Sequence, residues 1–210
     1  MNHCLISVKP TVKILIFIFL LISFCKGFAQ DTKKEPYDPK AEIVFDGKRY
    51  AKWNNYLTVG GLPGGSINSG IPTSQFCGAV GFNFHIKQNY FQSGVLMSGN
   101  VFGDENNTQV HGCWGKRIEK NKYHFAAFGG IDYSLFYQWA ADSTPPRFIS
   151  PAKTAIGAYA AIQNFWKFKY DVGIGTTIFA SYNTSRYLYG IRIELFFSSA
   201  YHGEKGRRRI

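Results

Sequence analysis

The residues able to do chemistry in this 210-residue chain are few and scattered: His85, His111, Arg117, His124, Asp132, Lys169, Asp171, Arg192 and Glu194, with Cys77 and Cys113. Two couples have a telling spacing. Lys169 and Asp171, and again Arg192 and Glu194, stand two residues apart, so in an extended strand the members of each couple share a face. A buried charge requires such an opposite partner. The five histidines show no His-x-x-x-His or other metal-ligand spacing, and no motif points to a cofactor, so neither metal nor cofactor is expected.

The elements that must hold these residues begin with an export leader. Lys9 and Lys13 precede an apolar run, Ile14 to Phe24, that is too short to cross a bilayer, and Gly27-Phe28-Ala29 offers small residues to a signal peptidase. Residues 1–29 are therefore expected to be a signal peptide cleaved after Ala29. Cys25 raises the alternative of a lipoprotein, against which Phe24 occupies a place where a small residue belongs. Cys4 and Cys25 would leave with the leader, and the remaining pair, Cys77 and Cys113, makes no disulfide framework. The net charge of +11 would ordinarily suggest nucleic acid, but export argues against that partner.

Beyond the leader, residues 30–52 are polar, of mixed charge, and carry Pro36 and Pro39, which predicts a flexible periplasmic segment. From Trp53 to Ser198 the chain resolves into stretches of about nine to thirteen residues with a period of two, the length a tilted strand needs to cross a bilayer. In one of them Phe76, Val80, Phe82, Phe84 and Ile86 share a face, opposite Gln75, Cys77, Ala79, Gly81, Asn83 and His85. A later one sets Trp166, Phe168, Tyr170, Val172, Ile174 and Ile178 against Lys167, Lys169, Asp171, Gly173, Gly175 and Thr177. The last sets Tyr187, Tyr189, Ile191, Ile193, Leu195 and Phe197 against Arg186, Gly190, Arg192 and Glu194.

Which face carries the charges decides the fold class. A soluble sandwich would have no reason to collect glycine and alanine on its charged face. A narrow barrel would, because its lumen takes small residues packed around paired charges while lipid takes the bulky apolar ones. The expectation is an all-β, antiparallel up-and-down transmembrane barrel of about eight strands. The remaining strands are Trp53 to Gly61, Tyr90 to Ser98, Val110 to Ile118, Tyr123 to Leu135 and Thr154 to Gln163. Connections at Leu62 to Pro72, Gly99 to Thr108, Phe136 to Lys153 and Ser181 to Ser185 would lie outside, and tight turns at Lys87 to Asn89, Glu119 to Lys122 and Asn164–Phe165 in the periplasm.

Strand alternation and loop asymmetry over Trp53 to Phe197 resemble the small eight-stranded outer-membrane barrels of the OmpA and OmpX type, and more closely the barrel proteins of Bacteroidetes. The resemblance implies outer-membrane residence with both termini periplasmic. The chain departs from the usual ending, because residues 199–210 continue past Phe197 as a basic tail holding Lys205, Arg207, Arg208 and Arg209.

These readings converge on a non-enzymatic barrel, a structural or accessory subunit of an outer-membrane protein assembly. Its expected partners are outer-membrane lipids and a larger outer-membrane or periplasmic complex. The alternative is a small lipid-modifying enzyme using His111, Ser98 and Asp132 at the barrel rim. Lys169, Asp171, Arg192 and Glu194 are expected to form one ion-pair cluster in the periplasmic half of the lumen. Cys77 and Cys113 fall on the same inward face, bonded or as two buried thiols. The periplasmic rim should be a basic collar of Lys87, Lys116, Arg117, Lys120, Lys122, Lys167, Lys169, Lys205, Arg207, Arg208 and Arg209, fitted to anionic headgroups or to an acidic partner.

Overall fold

A computed structural model describes residues 37–68, 71–99, 105–140, 147–184 and 186–204. Those from Asp38 onward belong to one compact unit, and no helix occurs among the described residues. The strands are β1 (Glu42–Phe45), β2 (Lys48–Ala51), β3 (Tyr56–Asn68), β4 (Ile71–Ile86), β5 (Asn89–Gly99), β6 (Glu105–Glu119), β7 (Tyr123–Ala140), β8 (Arg147–Lys169), β9 (Val172–Asn183), β10 (Arg186–Ser198) and β11 (Tyr201–Glu204). Strands β3 to β10 close into an antiparallel barrel in sequence order. The seam is β10 against β3, running from Arg186 opposite Asn68 to Ser198 opposite Tyr56. The expected class and strand number are those of the molecule.

Burial is inverted relative to a water-soluble protein. On β8 and β7, Ile156 and Ile131 are 70% and 68% exposed, whereas Asp132 and Glu194 are 2% and 1% exposed. Phe76, Phe82, Phe84, Met97, Trp114, Trp166, Phe168, Ile178, Ile191 and Ile193 continue the apolar outer belt. In water such a surface would cost roughly 25 cal/mol per Å², so it calls for an apolar surrounding.

Three expected connections are corrected. Leu62 to Pro72 and Phe136 to Lys153 were expected as long loops, but the ladder of β3 with β4 runs to Asn68 opposite Ile71, and β7 pairs with β8 as far as Ala140 opposite Arg147. Main-chain hydrogen bonds need no apolar side chains, so the Gly- and Pro-rich sequence conceals paired strand. The turn placed at Asn164–Phe165 lies instead at Tyr170–Asp171. Trp166 and Phe168 keep the outward alternation through β8, and the Lys167 amide donates to the carbonyl of Lys122 (2.9 Å), holding this end of β8 to the β6–β7 turn. Every connection at this turn end is tight.

A second sheet, β1–β2–β11, caps the turn end. The expectation of a flexible segment over 30–52 is corrected from Glu42 onward, because β1 and β2 form a hairpin. Its turn, Asp46-Gly47, has φ of 50° and 71°, the left-handed pair that a two-residue hairpin loop demands. The tail is likewise folded in part, since Tyr201–Glu204 pairs with β2. Lys205, Arg207, Arg208 and Arg209 lie outside the described residues. Tyr50, Tyr170 and Ala200 are buried between cap and barrel, with Ile43 and Phe45 packed against them. The Tyr50 and Tyr170 rings are 4.8 Å apart.

Candidate functional site in the barrel lumen

The period-two alternation turns three groups of polar side chains into the lumen. Midway, Arg192 Nε donates to Glu194 Oε1 (2.8 Å) within β10, and Thr177 Oγ1 of β9 donates to Glu194 Oε2 (2.5 Å). Arg192 Nη2 donates to the Tyr159 hydroxyl (3.3 Å), and its guanidinium lies 4.4 Å from the Phe179 ring centroid. His111 stacks on Tyr159 at 4.2 Å. Its seat requires glycine opposite, because a Cβ on Gly94 would lie 2.6 Å from His111 Nε2.

Towards the turn end, Glu119 gathers three neighbours. Arg117 Nε donates to its Oε2 (2.6 Å), Lys167 Nζ pairs with its Oε1, and His124 Nδ1 is 3.5 Å away. Arg117 also donates to Asn54 Oδ1 (3.2 Å) and to the Asn54 carbonyl (3.3 Å), between the Tyr56 and Tyr90 rings at 5.2 and 4.9 Å. Lys167 Nζ sits 3.8 Å from the Tyr170 ring centroid and donates to the Lys120 carbonyl (3.4 Å). Towards the opposite, hairpin end, Asp132 accepts from Gln109 and from Ser181, and Gln109 Nε2 reaches Ser181 Oγ (2.6 Å).

The four-residue cluster expected from the sequence is therefore corrected. Arg192 and Glu194 pair inside the lumen, with Ile191 and Ile193 outside, but Lys169 and Asp171 are not with them. A β-bulge between Lys167 and Lys169 breaks the alternation, which leaves Lys169 exposed and Asp171 in the turn. The lysine that does enter is Lys167, and its partner is Glu119, which sequence reasoning missed. The spacing of Arg117 to Glu119 repeats that of Arg192 to Glu194 and was the available signal.

Asp171 instead sits in the β8–β9 turn, bonded to the end of β10 and close enough to the cap for its charge to act there. Its carbonyl accepts from the Ser198 amide (2.8 Å), and its charge, after burial, raises the Tyr50 pKa. Burial pushes the Tyr170 hydroxyl up to about 12.

Ser98, His111 and Asp132, the residues of the enzyme alternative, are all buried. No hydrogen bond joins Ser98 to His111 or His111 to Asp132. His85 stands at the turn end of β4, hydrogen-bonded to Asn55 Oδ1. Cys77 and Cys113 are free, buried thiols.

No protein-family model and no curated protein matches the sequence. Among solved structures the chain is similar to Neisserial surface protein A, at 10% identity and a TM-score of 0.56, over 69% of this chain and 95% of that one. Ail of Yersinia pestis aligns at 6% identity and a TM-score of 0.49, over 70% of this chain and 98% of that one. The N-terminal β-barrel domain of Pseudomonas aeruginosa OprF aligns at 9% and 0.46, over 69% and 98%. What the chain shares with the first is the fold, that of a small eight-stranded barrel of the outer-membrane kind.

Proposed function

We propose that this chain resides in the outer membrane, with β3 to β10 crossing the bilayer and the turn end, the cap and both chain ends in the periplasm. There it serves as a closed, non-enzymatic structural or accessory component of an outer-membrane assembly. The observation that carries the reading is the inversion of burial, because a belt of exposed Ile, Phe and Trp around a lumen of paired charges is stable only when the outside is lipid. The leader expected over residues 1–29 supports export. Two features support this orientation: the connections at one end are tight, while β7 and β8, of 18 and 23 residues, outrun at the other the roughly ten that a tilted crossing needs.

The accessory role rests on the filled lumen. An eight-stranded barrel is only wide enough for its own side chains, and here Tyr159, Phe179, Arg192, Glu194, Arg117 and Lys167 occupy it. The surfaces left for function are external.

Cysteine accessibility tests location and orientation together, since Cys77 and Cys113 are buried and the unsubstituted protein gives the background. An impermeant maleimide should label Lys153→Cys, exposed on β8 beyond the belt, in intact cells, and Lys122→Cys only after the outer membrane is permeabilised. The reverse order, or protein in the soluble fraction, would overturn the reading. Purification in mild detergent without any stoichiometric partner would overturn its accessory half.

A further inference from the structure

The turn end carries a second feature that the lumen does not use. Lys87 in the β4–β5 turn, Lys116 on β6, Lys120 and Lys122 in the β6–β7 turn and Lys169 at the end of β8 are all exposed. Among the described residues they form no ion pair. Of the acidic side chains at this end, Glu119 turns into the lumen to Arg117 and Lys167, and the Asp171 charge acts on Tyr50 of the cap. A crescent of uncompensated ammonium groups thus runs along the turn end from β4 to β8.

Directly beside it lies the edge of the apolar belt. Ile86 precedes Lys87, Ile118 and Tyr123 flank Lys120 and Lys122, and Trp166 and Phe168 precede Lys169, every one of them exposed. A lysine so placed can lay its methylene stem along hydrocarbon and hold its charge at headgroup depth. All five are flexible point charges rather than the planar forks that read a fixed carboxylate. They line the perimeter, whereas a protein docking end-on would meet the cap, whose surface is mixed, with Glu42 and Arg49 paired at 3.6 Å and Lys48 near Asp46 in sequence.

We propose that this crescent is a binding surface for anionic phospholipid headgroups, phosphatidylglycerol or cardiolipin, of the leaflet that meets the turn end. Assigning that leaflet as the periplasmic-facing one rests on the orientation given above; the lipid preference itself does not. Each lysine close to an anionic surface contributes roughly fivefold in association, and their number makes the preference measurable even after salt screening.

The test uses the full-length mature protein folded into phosphatidylcholine vesicles containing trace spin-labelled phosphatidylglycerol or phosphatidylcholine, with the motionally restricted fraction read by electron paramagnetic resonance. Because both leaflets are alike, the result is independent of orientation and of cellular location. We expect phosphatidylglycerol to be preferred at least fivefold. The preference should fall to near unity when all five lysines become glutamine and survive when all five become arginine, with folding checked by circular dichroism. Lys120→Gln/Lys122→Gln, confined to an exposed turn, should give a partial loss and covers the case in which the larger variant fails to fold. Equal association of the two lipids, or a preference intact in a folded glutamine variant, would overturn the proposal. So would abolition by millimolar inorganic phosphate, which would assign a soluble anion, or polyglutamate binding in pure phosphatidylcholine without lipid preference, which would assign an acidic protein.

Discussion

The two ion-pair groups of the lumen start from the same sequence element and end differently. Arg192 and Glu194 are two apart on β10, and Arg117 and Glu119 two apart on β6. The first pair balances: one cation, one anion, with Thr177 and Tyr159 completing the hydrogen bonds. The second does not, because Lys167 reaches the same Glu119 from β8, so two basic side chains share one carboxylate. Aromatic faces and carbonyls make up the difference. Tyr56 and Tyr90 flank Arg117, Tyr170 lies against Lys167, and the carbonyls of Asn54 and Lys120 accept from the two cations. A cation over a desolvated ring gains about 1–2 kcal/mol, so rings can stand in part for a missing carboxylate. Charge can be balanced within one strand or across the barrel, and only the former shows in a local pattern.

The sharpest way to break the comparison is Glu119→Gln, which takes the shared carboxylate from Arg117 and Lys167 at once and should cost about 4–5 kcal/mol, the upper range for a broken buried pair. Urea unfolding in lipid vesicles, followed by tryptophan fluorescence, measures it. Glu194→Gln leaves one cation that keeps the Tyr159 hydroxyl, and should cost less, about 3 kcal/mol in the same assay. The double change Arg192→Met/Glu194→Leu should recover most of that loss, since it removes both desolvation costs. An equal loss for the two glutamine variants would mean that the rings at the Glu119 site already neutralise its second cation.

The smallest effect concerns the cap. Tyr50 and Tyr170 have hydroxyl pKa values raised chiefly by burial, that of Tyr170 to about 12, against about 10 in an unfolded chain. Because the folded state favours the protonated phenol, their contribution is complete below pH 10 and lost as pH rises above it, for Tyr170 over the interval from about 10 to 12. Hydrogen exchange of β1 and β2 should therefore accelerate over that interval while the barrel strands stay protected, and Tyr50→Phe should weaken the dependence. Synchronous loss of both sheets would contradict a separately titrating cap.

The barrel was legible in the sequence because its two faces differ at every step: Phe76, Val80, Phe82, Phe84 and Ile86 against Gln75, Cys77, Ala79, Gly81 and Asn83 leave no doubt about period or side. Arg192 with Glu194 was legible for the same reason. Lys169 and Asp171 misled because one bulged residue shifts the parity of all that follows until the next turn, and a bulge leaves no residue signature here. Glu119 with Lys167 was invisible because the contact joins β6 to β8. The β1–β2 hairpin was readable, since Asp46-Gly47 between Ile43-Val44-Phe45 and Tyr50 is a strong short-range turn signal, but a polar surrounding with two prolines obscured it.

The cap also bears on the seam. Strand β2 leads into β3, and β11 follows β10, so the pairing of β11 with β2 ties together the same two ends of the chain that the β10–β3 ladder joins. The barrel is consequently fastened twice at one place. Parting β10 from β3 leaves the chain a loop already closed by the cap, with its ends held near one another, so the entropy of bringing distant ends together has already been met and need not be met again. Sideways opening then becomes a reversible excursion and not a route to unfolding, and a barrel without its cap should reseal more slowly than one that keeps it.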